Sequence, residues 1–181
     1  MNRTATRRLN LGFTMVELCV CVSVGATLLS QAVPSLNKMR QERALRAASE
    51  ALASDLRFAR SEAARTSDSV YFRISGKGAN ACYVLYAGNR NDCDCAGGQP
   101  LCKTPASHVI KAEWLPASKG LQLRSNAETL EFQHRQGLVT QTGSIEVALQ
   151  NGTAIRQVVA ITGRVRHCYT GAKLSGIPKC A

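Results

Sequence analysis

The chain has 181 residues, 45% of them hydrophobic, and a formal charge of +11 from 23 Lys+Arg against 12 Asp+Glu. That length fits one ordinary domain plus an accessory segment and leaves little room for two catalytic domains. The apolar content excludes a disordered chain, 14 Gly and 5 Pro are too few for a fibrous one, and 5% aromatics argue against recognition of single strands by stacking. Eight cysteines are many for a reducing cytosol. The positive charge suits an anionic partner such as nucleic acid, lipid headgroups or an acidic protein, and composition does not choose among them.

The first twelve residues carry Arg3, Arg7 and Arg8 and no acid. An apolar run, charged only at Glu17, follows from Phe13 to Val33 and ends at Pro34, about the length of a helix that crosses a bilayer. Basic residues ahead of the run place the N-terminus in the cytoplasm and send residues 35–181 across the membrane. Ser30-Gln31-Ala32 offers a cut after the run, as in a secretory signal. Glu17 favours a cut before it. A carboxylate in a spanning helix is costly without a partner, and cleavage between Gly12 and Phe13 frees an α-amine four residues before Glu17.

Gly12-Phe13-Thr14-Met15-Val16-Glu17-Leu18, behind a basic leader and ahead of an apolar helix, resembles the N-terminal signal of type IV prepilins and type II secretion pseudopilins. The resemblance implies removal of residues 1–12 by a prepilin peptidase and methylation of Phe13. It further implies a membrane and filament-core helix over 13–34, often kinked at a proline such as Pro34, and a role for Glu17 in assembly with other pilin subunits.

From Asn37 the pattern turns amphipathic, with Leu45, Ala48, Leu52, Leu56, Ala59 and Ala63 on one helical face. It predicts a continuation of the helix over 35–67, ending near Thr66, bent at Pro34 and packed on a sheet. From residue 68 to 181 the texture is β. Candidate strands are Ser69–Ile74, Cys82–Ala87, His108–Leu115, Leu121–Arg124, Thr129–Phe132, Ser144–Leu149, Ala154–Ile161 and Arg164–Cys168. Strands that follow one long helix without βαβ alternation predict an antiparallel α+β domain. Leu52–Ala63, Arg65, Val70-Tyr71-Phe72, Phe132, Gly137 and Ile161–Arg166 are similar to the helix-to-strand and later segments of the GspH/FimT pseudopilins, whose fold is a long helix on antiparallel sheets.

Cys19 and Cys21 lie in the apolar run on roughly opposite helix sides and do not pair with each other. Six cysteines remain in the exported part. Cys168 and Cys180 flank an isolated loop and are expected to pair, a closure that contributes about 3 kcal/mol in the chain-entropy model. Pairing among Cys82, Cys93, Cys95 and Cys102 stays open. Zinc is the alternative for those four, although the Cys93-x-Cys95 spacing is tighter than usual. Trp114 reads as a core or strand-end anchor. His108, His134 and His167 form no catalytic constellation, so neither an enzyme nor a cofactor is expected.

Beyond Glu146 there are no acids, while Arg156, Arg164, Arg166, Lys173 and Lys179 supply five bases. On a strand Arg164 and Arg166 share a face, so two guanidinium forks can meet adjacent phosphates, and Gly163 allows either a close backbone approach or a turn of positive φ. Gly163-Arg164-Val165-Arg166 resembles the DNA-binding element of FimT-type minor pilins that act in natural transformation. The resemblance implies double-stranded DNA as a partner of Arg164 and Arg166, with Arg156, Lys173 and Lys179 as helpers inferred from charge. The competing use of the same arginines is contact with a neighbouring subunit in a type II secretion pseudopilus.

Overall fold

The computed structural model of the protein describes residues 14–76, 81–115 and 120–180. The leader, the Gly12–Phe13 junction, most of the Gly76-Lys77-Gly78 turn and Pro116 lie outside these residues. The chain divides into two compact units, Met1–Arg40 and Gln41–Ala181. One helix, α1 (Met15–Arg65), contributes residues to both, and its assignment passes through Pro34.

In the first unit, α1 starts on a local cap. The Thr14 hydroxyl accepts the Glu17 amide at 3.2 Å, and the Thr14 carbonyl accepts the Leu18 amide at 3.1 Å. Thr14 and Glu17 thus occupy the N-cap and third positions of a Thr-x-x-Glu start, where a carboxylate suits the positive end of the helix dipole. The large apolar side chains from Met15 to Met39 are open, Met15 at 85% exposure. Among the described residues α1 alone is long and apolar enough to cross a membrane. Its hydroxyls suit that solvent: Ser23, Thr27 and Ser30 each donate to the carbonyl three residues earlier, at 2.7–2.9 Å.

The second unit is antiparallel throughout. Strands β1 (Val70–Ser75), β2 (Cys82–Ala87), β5 (His108–Trp114) and β7 (Thr129–Phe132) form one sheet in the order β5-β2-β1-β7. A second sheet, ordered β10-β9-β8-β6, holds β6 (Leu121–Ser125), β8 (Gly143–Leu149), β9 (Ala154–Val159) and β10 (Val165–Thr170). The two-residue strands β3 (Cys93–Asp94) and β4 (Leu101–Cys102) make a small hairpin. The architecture is the expected α+β one. Strand ends differ from expectation where turns intervene: β9 stops at Val159 because residues 160–163 form a turn. The hairpin β3–β4 is too short to give any periodic signal.

The helix stripe Leu45, Leu52, Leu56, Ala59 and Ala63 lies in a single core with Val70 and Phe72 of β1, Leu85 of β2, Phe132 of β7, and Ile145, Val147, Ile155 and Val159 of the second sheet. Alternation along β2 sends Tyr83 and Leu85 to this core and Cys82, Val84 and Tyr86 to the opposite face. There Tyr71 stacks on Tyr86 with ring centroids 5.3 Å apart, beside Cys93 and Cys95. Disulfides Cys82–Cys95 and Cys93–Cys102 fasten the small hairpin over that face. All six residues of β2 are consequently buried, as a strand covered on both sides must be. With all four thiols bonded in pairs, none is left as a zinc ligand. Trp114 sits at the end of β5 opposite Cys82 and is 38% exposed, so it is a strand-end residue outside the core.

Two polar residues on the buried side of α1 were hidden within the helical pattern. Asp55 is buried; its carboxylate accepts the Tyr83 hydroxyl at 2.7 Å and Lys111 Nζ at 2.8 and 2.9 Å, tying α1 to β2 and β5. Ser49 is buried as well, and Gln157 Nε2 of β9 donates to its hydroxyl at 2.8 Å and its carbonyl at 3.1 Å. Each sheet therefore has one polar anchor on the helix.

Desolvation, together with the bond to Asp55, holds the Tyr83 phenol well above its ordinary value, and the bond to Asp55 raises Lys111. Both folded-state values are raised, so the stabilisation is complete below about pH 10 and is lost as pH rises further. Asp55→Ala is expected to cost about 2 kcal/mol by leaving a buried hydroxyl unpaired and Lys111 without its closest partner. In urea denaturation, stability should fall more between pH 9 and 11 for the wild type than for Tyr83→Phe.

Candidate functional site

The five bases of the tail do not form one patch. Arg156, on the outer face of β9, lies across from Glu146 of β8, and both its Nε and Nη2 stand 2.6 Å from the same carboxylate oxygen. That guanidinium is already neutralised, which corrects its expected place among the free bases. Lys173 and Lys179 are exposed in the segment after β10. The Cys168–Cys180 disulfide closes that segment, and Tyr169 accepts the Cys180 amide at 3.0 Å while donating to the Pro178 carbonyl at 2.8 Å. These contacts fold the chain end back along β10, away from the strand's start.

Arg164 and Arg166 lie at that start. Strand β10 begins at Val165, so Arg164 belongs to the hairpin turn and not to the strand as expected. Its carbonyl still accepts the Ala160 amide at 3.0 Å, and Gly163 donates to the Ala160 carbonyl at 2.8 Å. With Gly163 at φ 72°, this is a three-residue hairpin loop whose glycine takes the left-handed position. Arg166 faces Val158 across the ladder. Both arginines are exposed, and neither has an ion pair or side-chain hydrogen bond among the described residues.

Gly163 is not a phosphate approach point. It is buried, and a Cβ there would collide with the Gly137 carbonyl and lie 2.8 Å from both Cδ and Nε of Arg60. Gly137 is itself at φ 60° against the same Arg60. The hairpin is thus wedged onto the loop after β7 and onto the last turns of α1. Two further bonds close the junction: Val139 donates to the Ile161 carbonyl at 2.8 Å, and Arg135 donates its amide to the Ala63 carbonyl at 2.9 Å. The turn that carries Arg164 is therefore a rigid feature set by helix packing. The two glycines that permit it were legible as a motif, whereas their contact partner Arg60 gave no sequence signal.

Glu17 is the third residue of α1, and Gly12 and Phe13 precede the described residues. Among the described residues no group of three or more His, Cys, Asp or Glu is placed to hold a metal ion. A cavity of about 330 Å³ lies between α1, β9, β10 and the stapled segment, lined by Arg46, Ser49, Arg57, Gln157 and His167 among others.

An exposed apolar N-terminal helix whose second part packs on antiparallel sheets defines the class of pilins and pseudopilins. Residues 48–163 match the family model described as type II transport protein GspH, which is more than half of the chain. The chain belongs to the GspH family. Its fold is similar to the crystal structure of the type IV minor pilin FimU of Pseudomonas aeruginosa, with a TM-score of 0.53 and 14% identity over 69% of this chain and 88% of that one. A second crystal form of FimU gives a TM-score of 0.51 and 14% identity over 68% and 91% of the two chains. No curated protein sequence matches.

The wedge predicts unequal costs for glycine substitution. Gly163→Ala should destabilise the protein by at least about 2 kcal/mol, because positive φ and a backbone collision coincide. Gly152→Ala, also at positive φ but in open space, should cost about 1 kcal/mol. Thermal melting of the two variants separates these outcomes.

Proposed function

We propose that the protein is a minor pilin of a type IV pilus that binds double-stranded DNA without sequence preference, for uptake in natural transformation. The observation that carries this reading is the pair Arg164 and Arg166. Both are exposed and free of acidic partners, while Arg156 nearby is neutralised by Glu146. Unpaired guanidinium groups on a stiff hairpin are suited to phosphates, and few phosphate contacts imply modest, strongly salt-dependent binding. Among the described residues no base-reading helix accompanies them, so the contacts position the duplex without reading its sequence.

The membrane half is common to this reading and to the pseudopilin one given below. Residues 1–12 act as a leader, held at the cytoplasmic face of the inner membrane until a prepilin peptidase cuts after Gly12 and methylates Phe13. Residues 13–34 span the membrane as a single pass, with the continuation 35–67 and the β domain 68–181 in the periplasm. On assembly the spanning helix passes into the filament core beside other pilin subunits. There the new amine of Phe13 and the Glu17 carboxylate neutralise each other within one helix or between neighbours. The position of Glu17 in the first helical turn keeps the acid near the membrane edge, where its burial costs less than at the centre.

A second reading rests on the family description, type II transport protein GspH. Under it the protein is a structural pseudopilin of a type II secretion system, and Arg164 and Arg166 contact a neighbouring subunit.

A gel shift with linear duplex DNA separates the two. The DNA reading expects the full-length protein in neutral detergent to retard the duplex, and Arg164→Ala/Arg166→Ala to lose most of that retardation at 150 mM salt. Equal retardation by both proteins would overturn it. For the membrane half, Glu17→Ala should leave membrane insertion intact and reduce incorporation into filaments, as read by immunoblots of sheared pili.

A further inference from the structure

Arg164 has neighbours that its own segment does not reveal. The Arg60 side chain of α1 lies against Gly163, the residue next to Arg164, and against Gly137. Arg135 sits in the turn just before Gly137 at φ 63°, with its amide on the Ala63 carbonyl one helical turn after Arg60. Three arginines from three separate segments therefore converge where the end of α1, the loop after β7 and the β9–β10 hairpin meet. All three are exposed, and none has a side-chain hydrogen bond or ion pair among the described residues. The nearby acids are already committed: Glu62 to Arg65 at 2.6 Å and Glu131 to Arg90 at 4.0 Å. Ile161 at the tip of the hairpin is 58% exposed, so none of the described residues of this unit covers the hairpin tip.

The lysines of the tail lie elsewhere. Strand β10 runs six residues from Val165 to Thr170, about 20 Å at the usual rise, and Lys173 follows its far end. Lys179 is held beside Tyr169, also toward that end. Each side of Arg164 adds two cations, but those of the corner stand on segments packed against Gly163 and Gly137 close to Arg164, and they are arginines, whose planar forks suit phosphates better than lysines.

Building on the DNA-binding reading above, we infer that the phosphate-binding surface around Arg164 and Arg166 extends over this corner, through Arg60 and Arg135, and that Lys173 and Lys179 lie outside it. Each guanidinium displaces counterions from one phosphate, so each removed contact lowers the salt dependence of binding by about one unit of log–log slope. A purely structural role for these arginines would not move that slope.

The test is fluorescence anisotropy of a labelled 30-base-pair duplex with the full-length protein in neutral detergent, at several salt concentrations. Arg60→Gln keeps the side-chain stem that packs on the two glycines, and Arg135→Asn tolerates positive φ. The double variant should weaken binding about tenfold at 150 mM salt and flatten the slope by about two, equally for unrelated sequences. Lys173→Ala/Lys179→Ala should bind within twofold of wild type. If melting shows the double variant to be unfolded, Arg135→Asn alone carries the test with a slope change of about one. Unchanged binding by the Arg60 and Arg135 variants, with loss in Arg164→Ala/Arg166→Ala, overturns the corner and leaves the DNA reading standing. A wild-type protein that does not bind the duplex overturns both.

Discussion

The β unit depends on one helical stripe shared by two sheets. The sheet containing β1 and the sheet containing β9 have no strand in common, so no strand ladder carries the register of one into the other, and the Val139–Ile161 bond links a loop to a hairpin turn. What joins them is a core that Leu45, Leu52, Leu56, Ala59 and Ala63 share with residues of both. Apolar burial is non-directional and would by itself tolerate sliding of a sheet along the helix. Asp55 and Ser49 supply the missing direction: one fixes β2 and β5, the other fixes β9, each through hydrogen bonds made from a buried position.

The same packing reaches the functional surface. The final turns of α1 carry Arg60 and Ala63 against two loops, and the glycines of those loops allow an approach that any side chain would block. The position of Arg164 is thus a consequence of core packing some residues away. In a pilin-class subunit this arrangement has a mechanical advantage. Within the β unit the last turns of α1 are the frame on which an exposed hairpin is mounted, so the hairpin keeps its geometry without a large domain around it. The disulfides serve local ends: two fasten a small hairpin over the back of the first sheet, and the third closes the chain end along β10.

Much of this was legible in the sequence. Period-3.6 apolar spacing located the helix stripe, and period-2 runs located the eight longer strands, because both patterns are set by which side of an element is buried. The GspH resemblance rested on residues that do structural work here, Phe72, Gly137 and Gly163 among them. The polar anchors were illegible. Asp55 and Ser49 carried no sequence signal as anchors because their partners, Lys111, Tyr83 and Gln157, lie far along the chain. Arg156 read as a free base for the same reason, since its partner Glu146 is opposite it only once β8 and β9 pair. Arg60 and Arg135 gave no signal as members of a site, because convergence of three segments is a property of the fold alone.

A single helix holds both sheets in one cooperative unit. Native-state hydrogen exchange measures this directly. If the claim holds, the slowest amides of β1, β2, β8 and β9 exchange with one common opening free energy, and Asp55→Ala lowers it equally in both sheets although its own contacts reach only the first. Loss of protection confined to β1, β2 and β5, with β8 and β9 unaffected, would contradict it.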